Sequence, residues 1–171
     1  MNQKIYWSLI THRDWNLYLA ATKNGLCFVG SFNHSLNELS EWVIKRFRDV
    51  VLIENNEFLR GYAVEMIEYL EGDRRQFSMP MDFHGTQFQL KVWNALNNIQ
   101  YGETKTYKDI ADMINNPKAI RAVGSAIGKN PLLITIPCHR VIGKNGTLTG
   151  YRGGLDMKMM LLKMEQHQQS I

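Results

Sequence analysis

The chain has 171 residues, 44% of them hydrophobic, enough for one ordinary domain or two small ones with a packed core and no compositional sign of disorder. Two cysteines, Cys27 and Cys138, with no CxxC pair exclude a disulfide framework and four-cysteine zinc sites, and no apolar run approaches the roughly 18 residues that span a bilayer. The net charge of +4 is uneven: residues 1–81 hold 9 Lys/Arg against 10 Asp/Glu and residues 82–171 hold 11 against 6, so the second half is the part suited to a polyanion.

The opening MNQKIYWSLITHRDW lacks the basic-then-apolar pattern of a secretory signal, so a cytoplasmic chain with free thiols is expected. KIYWSLI and NLYLAATKNGLCFVGSF read as strands, with Lys23-Asn24-Gly25 as a hairpin turn. Cys27, between Leu26 and Phe28, reads as a small core residue. Ser35 and Glu38 form a capping-box pattern ahead of a helix whose one face is Leu36, Leu39, Val43 and Phe47. A second helix is expected near Glu57 to Leu70, with Gly72 as its stop signal. EGDRRQFSMPMDFHGT is polar and turn-forming and reads as a linker. The charge balance changes sign across it, which puts a domain boundary near residue 80, between units 1–80 and 81–171.

The second unit opens with a helix whose apolar face is Phe88, Val92, Trp93, Leu96 and Ile99. After the turn YGETKTY, Thr106 caps a short helix through about Ile114, with Asp109 in the acceptor position. Asn115-Asn116-Pro117 breaks it, and Pro117 suits the first turn of the next helix, KAIRAVGSAIG. Two short helices across a tight break outline a helix-turn-helix. The second of the pair is rich in small residues: Ala119, Ala122, Gly124, Ser125, Ala126 and Gly128. A helical glycine costs roughly 1 kcal/mol against alanine, so something should offset Gly124. Close packing against another helix would do so; so would close approach to a partner's backbone. Arg121, Lys108, Lys118 and Lys129 make DNA a candidate for that partner. A last helix is expected from about Asp156 to Gln166.

LLITIPCHRVIGKNGTLTGYRGG carries the candidate chemistry. Cys138 can be a buried structural thiol, a metal ligand or a nucleophile. A nucleophilic thiol needs a base, and His139 is adjacent. Adjacent side chains on a straight strand point apart, but Pro137 and Arg140 suggest a bend there, and a water could close the gap. Glu165 on the last helix is an acceptor able to orient the histidine. Gly143, Gly146, Gly150, Gly153 and Gly154 free the following loop to turn tightly or to fold over a flat ligand, with Tyr151 as its aromatic face. GxGxxG is absent, so a dinucleotide cofactor has no support.

IPCHRVIG, preceded by RAVGSAIGKNP and followed by GYRGGLDMKMMLLKME, resembles the O6-alkylguanine-DNA alkyltransferase family, also called methylated-DNA–protein-cysteine methyltransferases, in its stand-alone bacterial form. The resemblance is dense from Gly85 to Glu165 and weak over residues 1–80. It implies an α+β chain: a mixed α/β, ribonuclease-H-like N-terminal domain, then a mostly helical, winged-helix-like DNA-binding catalytic domain with a helix-turn-helix. It implies repair of double-stranded DNA by a monomer without cofactor or metal. The alkyl group of O6-alkylguanine, or of O4-alkylthymine, would pass irreversibly to Cys138 from a flipped-out base, once per molecule.

The same resemblance implies roles for individual residues. His139 is the water-linked base held by Glu165, and Asn130 orders the turn behind the acceptor. Tyr107 contacts the purine and steadies the leaving guanine, and Arg121 fills the gap in the duplex. Ala122 and Gly124 lie in the minor groove, with Lys108, Asn116 and Lys144 as further DNA contacts. Pro137, Val141, Tyr151 and Arg152 border the pocket. Arg152 stands where some members have a small hydroxyl residue, and the four-cysteine zinc domain and N-terminal zinc ligands of certain relatives have no counterpart.

Overall fold

A computed structural model describes residues 3–169, without the side chain of residue 169. It divides into two compact units, Met1–His84 and Gly85–Ile171. No helix among the described residues is long and apolar enough to cross a membrane.

The first unit is a four-stranded sheet with two helices. β1 (Gln3–His12), β2 (Trp15–Thr22) and β3 (Gly25–Val29) form an antiparallel meander, and β4 (Val50–Glu54) adds in parallel to β1, giving the order β3-β2-β1-β4. α1 (Leu36–Arg46) packs Leu39 and Val43 into a cluster with Ile5, Ala20, Cys27 and Phe28. α2 (Asn56–Glu71) meets the opposite face of β1, where Ser8 donates to Asn56 Oδ1 at 2.8 Å and Tyr6 stacks on Phe58 at 4.3 Å. The alternation of side chains along β1 thus serves both helices. Cys27 is buried, as a core residue should be, and burial pushes its thiol up to about 12, so it stays protonated.

Local chemistry explains most element ends here. The Lys23-Asn24 turn closes the second hairpin. Asn55 accepts from Phe58 N–H at 2.9 Å and starts α2; Gly72, at φ 85°, stops it in the left-handed region. The Ser35/Glu38 capping box does not form. Glu38 turns back instead and accepts the Ser31 N–H at 2.8 Å, so Ser35 makes no side-chain cap bond. Phe47 lies just past the helix in extended backbone, packed on Trp42 and His84. β4 was not among the expected elements. Its register pairs Gln3 with Val50, which no local pattern encodes. Residues 80–82, expected as linker, are anchored: Leu26 N–H donates to the Pro80 carbonyl at 2.9 Å and Asp82 N–H to the Leu26 carbonyl at 2.8 Å.

The second unit is mostly helical. α3 (Gln87–Leu96), α4 (Tyr107–Met113) and α5 (Ile120–Gly128) pack on one another around Val92, Trp93, Leu96, Ile110, Val123 and Ile127. The buried Trp93 indole donates to the Ala126 carbonyl at 2.9 Å. Capping boxes form at Thr86 with Gln89 and at Thr106 with Asp109. Pro117 does not start α5. Ala119 N–H closes a turn onto the Asn116 carbonyl at 3.0 Å, and proline at the second position of that turn is favoured. The helix begins three residues later, at Ile120. Two-residue strands β5 (Lys105–Thr106) and β6 (Val141–Ile142) pair in parallel, and α6 (Leu155–Gln169) closes the unit.

Candidate active site

The apolar run before Cys138 is folded back on itself as turns, with Ile134 at φ 69°. Asn130 causes this. Its side chain, fully buried, donates to the carbonyls of Leu132 (3.3 Å) and Ile136 (3.2 Å) and accepts the Leu132 N–H at 2.9 Å. The same amide nitrogen stands 3.1 Å from Cys138 Sγ. One side chain therefore shapes the turn and holds the thiol.

Cys138, His139 and Arg140 form a single 3-10 turn rather than a strand, so adjacent side chains need not point apart. His139 Nε2 lies 2.8 Å from Glu165 Oε1, both residues fully buried. Arg140 binds the same carboxylate, Nε to Oε2 at 2.9 Å and Nη2 to Oε1 at 2.9 Å. Gly102 N–H adds a fourth donor, to Oε2 at 3.1 Å.

The electrostatics follow from burial and charge. Burial pushes the Cys138 thiol up; the Asn130 hydrogen bond and the Arg152 and Lys158 charges pull it back only in part. Burial holds His139 below its usual range despite Glu165, and the Arg140 and Lys158 charges act in the same direction as burial. Burial disfavours the Glu165 carboxylate, yet its bonds and charge contacts with His139 and Arg140 outweigh this and keep it ionised.

Two residues have a part in this site that the sequence did not suggest: Arg140, read only as the sign of a bend, and Lys158. Lys158 is 0% exposed. Its ammonium donates to the carbonyls of Val141 (2.5 Å), Thr149 (3.0 Å) and Gly150 (3.5 Å), tying α6 to β6 and to the glycine-rich loop. A signal existed: Lys158 shares the helical spacing of Leu161, Leu162 and Glu165, the buried stripe of α6.

A cavity of about 280 Å³ is lined by Tyr107, Gly124, Ile127, Gly128, Gly150, Tyr151 and Arg152. Pro137, Val141 and Cys138, the last 2% exposed, are buried and are not among its lining residues. Tyr107 donates its hydroxyl to the Thr149 carbonyl at 2.9 Å, joining α4 to the loop. Arg152 donates to the carbonyls of Asn130 (2.9 Å) and Pro131 (3.2 Å). A methyl group on Gly124 would touch only the Tyr107 ring, at 3.7 Å, so tight helix packing does not require a glycine there. Outward from the buried Val123 and Ile127, α5 exposes Arg121, Ala122, Ser125 and Gly128; Lys108, Asn116, Lys118, Lys129 and Lys144 are also exposed.

Fold and site together define a class: a helix-turn-helix protein built around a buried cysteine with a histidine–carboxylate pair beside it. Two family models match, the 6-O-methylguanine DNA methyltransferase ribonuclease-like domain over residues 5–83 and its DNA-binding domain over residues 87–167. The inducible methylated-DNA–protein-cysteine methyltransferase of Bacillus subtilis strain 168 is 58% identical over 166 residues, covering 97% of this chain and 93% of that protein. Among solved structures, Mycobacterium tuberculosis O6-methylguanine methyltransferase superposes with a TM-score of 0.81 at 35% identity, over 96% of this chain and 94% of that one. The same enzyme in complex with DNA gives the same values. The chain belongs to the methylated-DNA–protein-cysteine methyltransferase family, whose work is DNA repair by methyl transfer to a protein cysteine.

Proposed function

We propose that Cys138 is the acceptor and that the chain repairs O6-alkylguanine in duplex DNA, irreversibly and once per molecule. The observation that carries this reading is the single turn in which Asn130 holds Cys138 Sγ while the next residue, His139, is fixed on Glu165. A nucleophile, its base and an orienting carboxylate are thereby assembled.

The thiol proton passes through a water to His139, and the sulfur lone pair attacks the alkyl carbon. The S–C bond forms as the C–O6 bond breaks, and the electron pair of the broken bond leaves on guanine. The proton returns to the departing base, with the Tyr107 hydroxyl stabilising it. Nothing in this sequence regenerates the thiol, and no cofactor is called for. Because burial keeps the free thiol protonated, the acceptor is inert until a base is seated.

Cys138 is buried, out of reach of a stacked base. The damaged nucleotide must therefore leave the duplex, which costs a few kcal/mol and least for a poorly paired base. Arg121 fills the gap while Ala122 and Gly124 let α5 lie close to the minor-groove backbone. Lys108, Asn116 and Lys144 add backbone contacts. Tyr151, Arg152, Pro137 and Val141 border the pocket for the flipped base and its alkyl group. O4-alkylthymine is a second substrate of the same geometry, and a monomer suffices for all of these steps.

DNA carrying radiolabelled O6-methylguanine tests the reading. Label should move to protein, stop at about one methyl per chain and reside on the Cys138 peptide. Multiple turnover, or transfer surviving Cys138→Ser, would sink the proposal. Arg121→Ala should slow repair of duplex DNA much more than reaction with a free alkylated base; equal losses count against the flipping role.

A further inference from the structure

We propose that Arg140 is the positioning residue of this site: it saturates and orients the Glu165 carboxylate so that His139 keeps its proton on Nε2 and offers a neutral Nδ1 as the base. The inference rests on the proposed relay through His139.

The geometry shows donors on both oxygens of one carboxylate. Oε2 receives Arg140 Nε at 2.9 Å and Gly102 N–H at 3.1 Å. Oε1 receives Arg140 Nη2 at 2.9 Å and faces His139 Nε2 at 2.8 Å. Neither a guanidinium nor a backbone amide gives up its proton under these conditions. The carboxylate is thus an acceptor on every side, and the ring nitrogen facing it must be the one that carries hydrogen. In neutral imidazole the lone pair then sits on Nδ1.

Arg140 is itself held against rotation. Its Nη1 donates to the Ile99 carbonyl at 2.7 Å, and its guanidinium stacks 5.6 Å from the centre of the Tyr101 ring. The planar fork matters, since a lysine would place one point charge where two parallel bonds are needed.

Charge adds a second effect. Arg140 and Glu165 form a balanced buried pair, so a proton on His139 would leave one uncompensated positive charge. The charged groups acting on the histidine are Glu165 and Lys158 from α6 and Arg140 from its own turn. One step further out, Tyr151 from the following loop faces Glu165 and Cys138, and Tyr101 and Glu103 from the segment before β5 face Arg140. Two of the three charged groups acting directly on His139 are cations, and both oppose its protonation. A base in that field accepts the thiol proton only transiently and releases it to the departing guanine.

Nitrogen-15 spectra of the His139 ring test this in the full-length wild type, Arg140→Met and Arg140→Lys, alongside the pH profile of methyl transfer from O6-methylguanine DNA. The wild type should show the neutral Nε2–H tautomer across the neutral range. In Arg140→Met the histidine should titrate about one unit higher. Its transfer rate should fall by up to about tenfold on the acid side of the raised titration point and recover as pH rises above it. Arg140→Lys should keep the ring neutral but mix the two tautomers. A wild-type ring protonated on Nδ1 overturns the proposal. So does an Arg140→Met protein whose ring signals and normalised pH profile overlay the wild type, even if its rate is lower. Should Arg140→Met not fold, a pure Nε2–H tautomer with an unchanged rate in Arg140→Lys overturns it as well. Failure of label to reach Cys138 in the wild type counts against the function alone, since the ring spectra stand without transfer.

Discussion

Lys158→Met removes a charge from the interior while keeping an unbranched apolar stem of similar length. Burial lowers the wild-type ammonium from 10.5 to about 8, with the nearby Cys138 thiol opposing the shift. At 1.36 kcal/mol per unit, burying the cation costs roughly 3 kcal/mol at neutral pH. Against this stand its bonds to the Val141 and Thr149 carbonyls, at about 1.5–3 kcal/mol each for a charged donor. Near pH 7 the two effects should cancel to within about 3 kcal/mol. Their pH dependence should not cancel. The folded-state value lies below the unfolded one, so between about 8 and 10.5 the unfolded chain binds the extra proton, and raising pH stabilises the native state. Unfolding free energies from urea titrations at neutral to alkaline pH should therefore rise for the wild type relative to Lys158→Met by up to about 3 kcal/mol. Transfer to Cys138 should also slow in the variant, because a cation that favours its thiolate is gone. Stability curves that stay parallel across this window would refute the reasoning.

Glu165→Gln keeps the shape of the network and removes its charge; breaking a buried ion pair should cost about 3 kcal/mol at neutral pH. The folded carboxyl titrates below its ordinary 4.5, so its contribution is present above that value and fades as pH falls beneath it. Denaturant midpoints of the two proteins should converge in acid, and a gap constant with pH would contradict the network. In the first unit, Gly25 sits at φ 154°, and a methyl group there would lie 2.7 Å from the Pro80 carbonyl. Gly25→Ala should cost about 2 kcal/mol, read as a lower melting temperature. Gly61, inside α2 with open space at its methyl position, is the opposite case: Gly61→Ala should add about 1 kcal/mol.

Much of the local structure was legible in the residues. The Lys23-Asn24 hairpin, the Thr106 helix start and the Gly72 stop are set by groups within about four positions of one another, where donor and acceptor are brought together by the chain itself. The small-residue stripe of α5 and the Cys-His pair were visible for the same reason, and Arg121, Ala122 and Gly128 do lie on the outer face that helical spacing implies. The Ser35 box failed because its partner, Glu38, found donors in the preceding loop, a competition that pattern alone cannot rank. Tertiary structure decided the rest. β4 exists as a strand because β1 is there to pair with it, and its own five residues say little. Leu132 to Ile136 looks apolar enough for a strand, yet the Asn130 amide captures its carbonyls and leaves it turned. Above all, residue order could offer Glu165 as an acceptor for His139, but not that Arg140 would share it or that Lys158 would be caged by three carbonyls. Those contacts join residues up to 26 positions apart and are worth forming only once water is excluded. A buried charge has no local sequence code, because its partners are chosen by the packing that buries it.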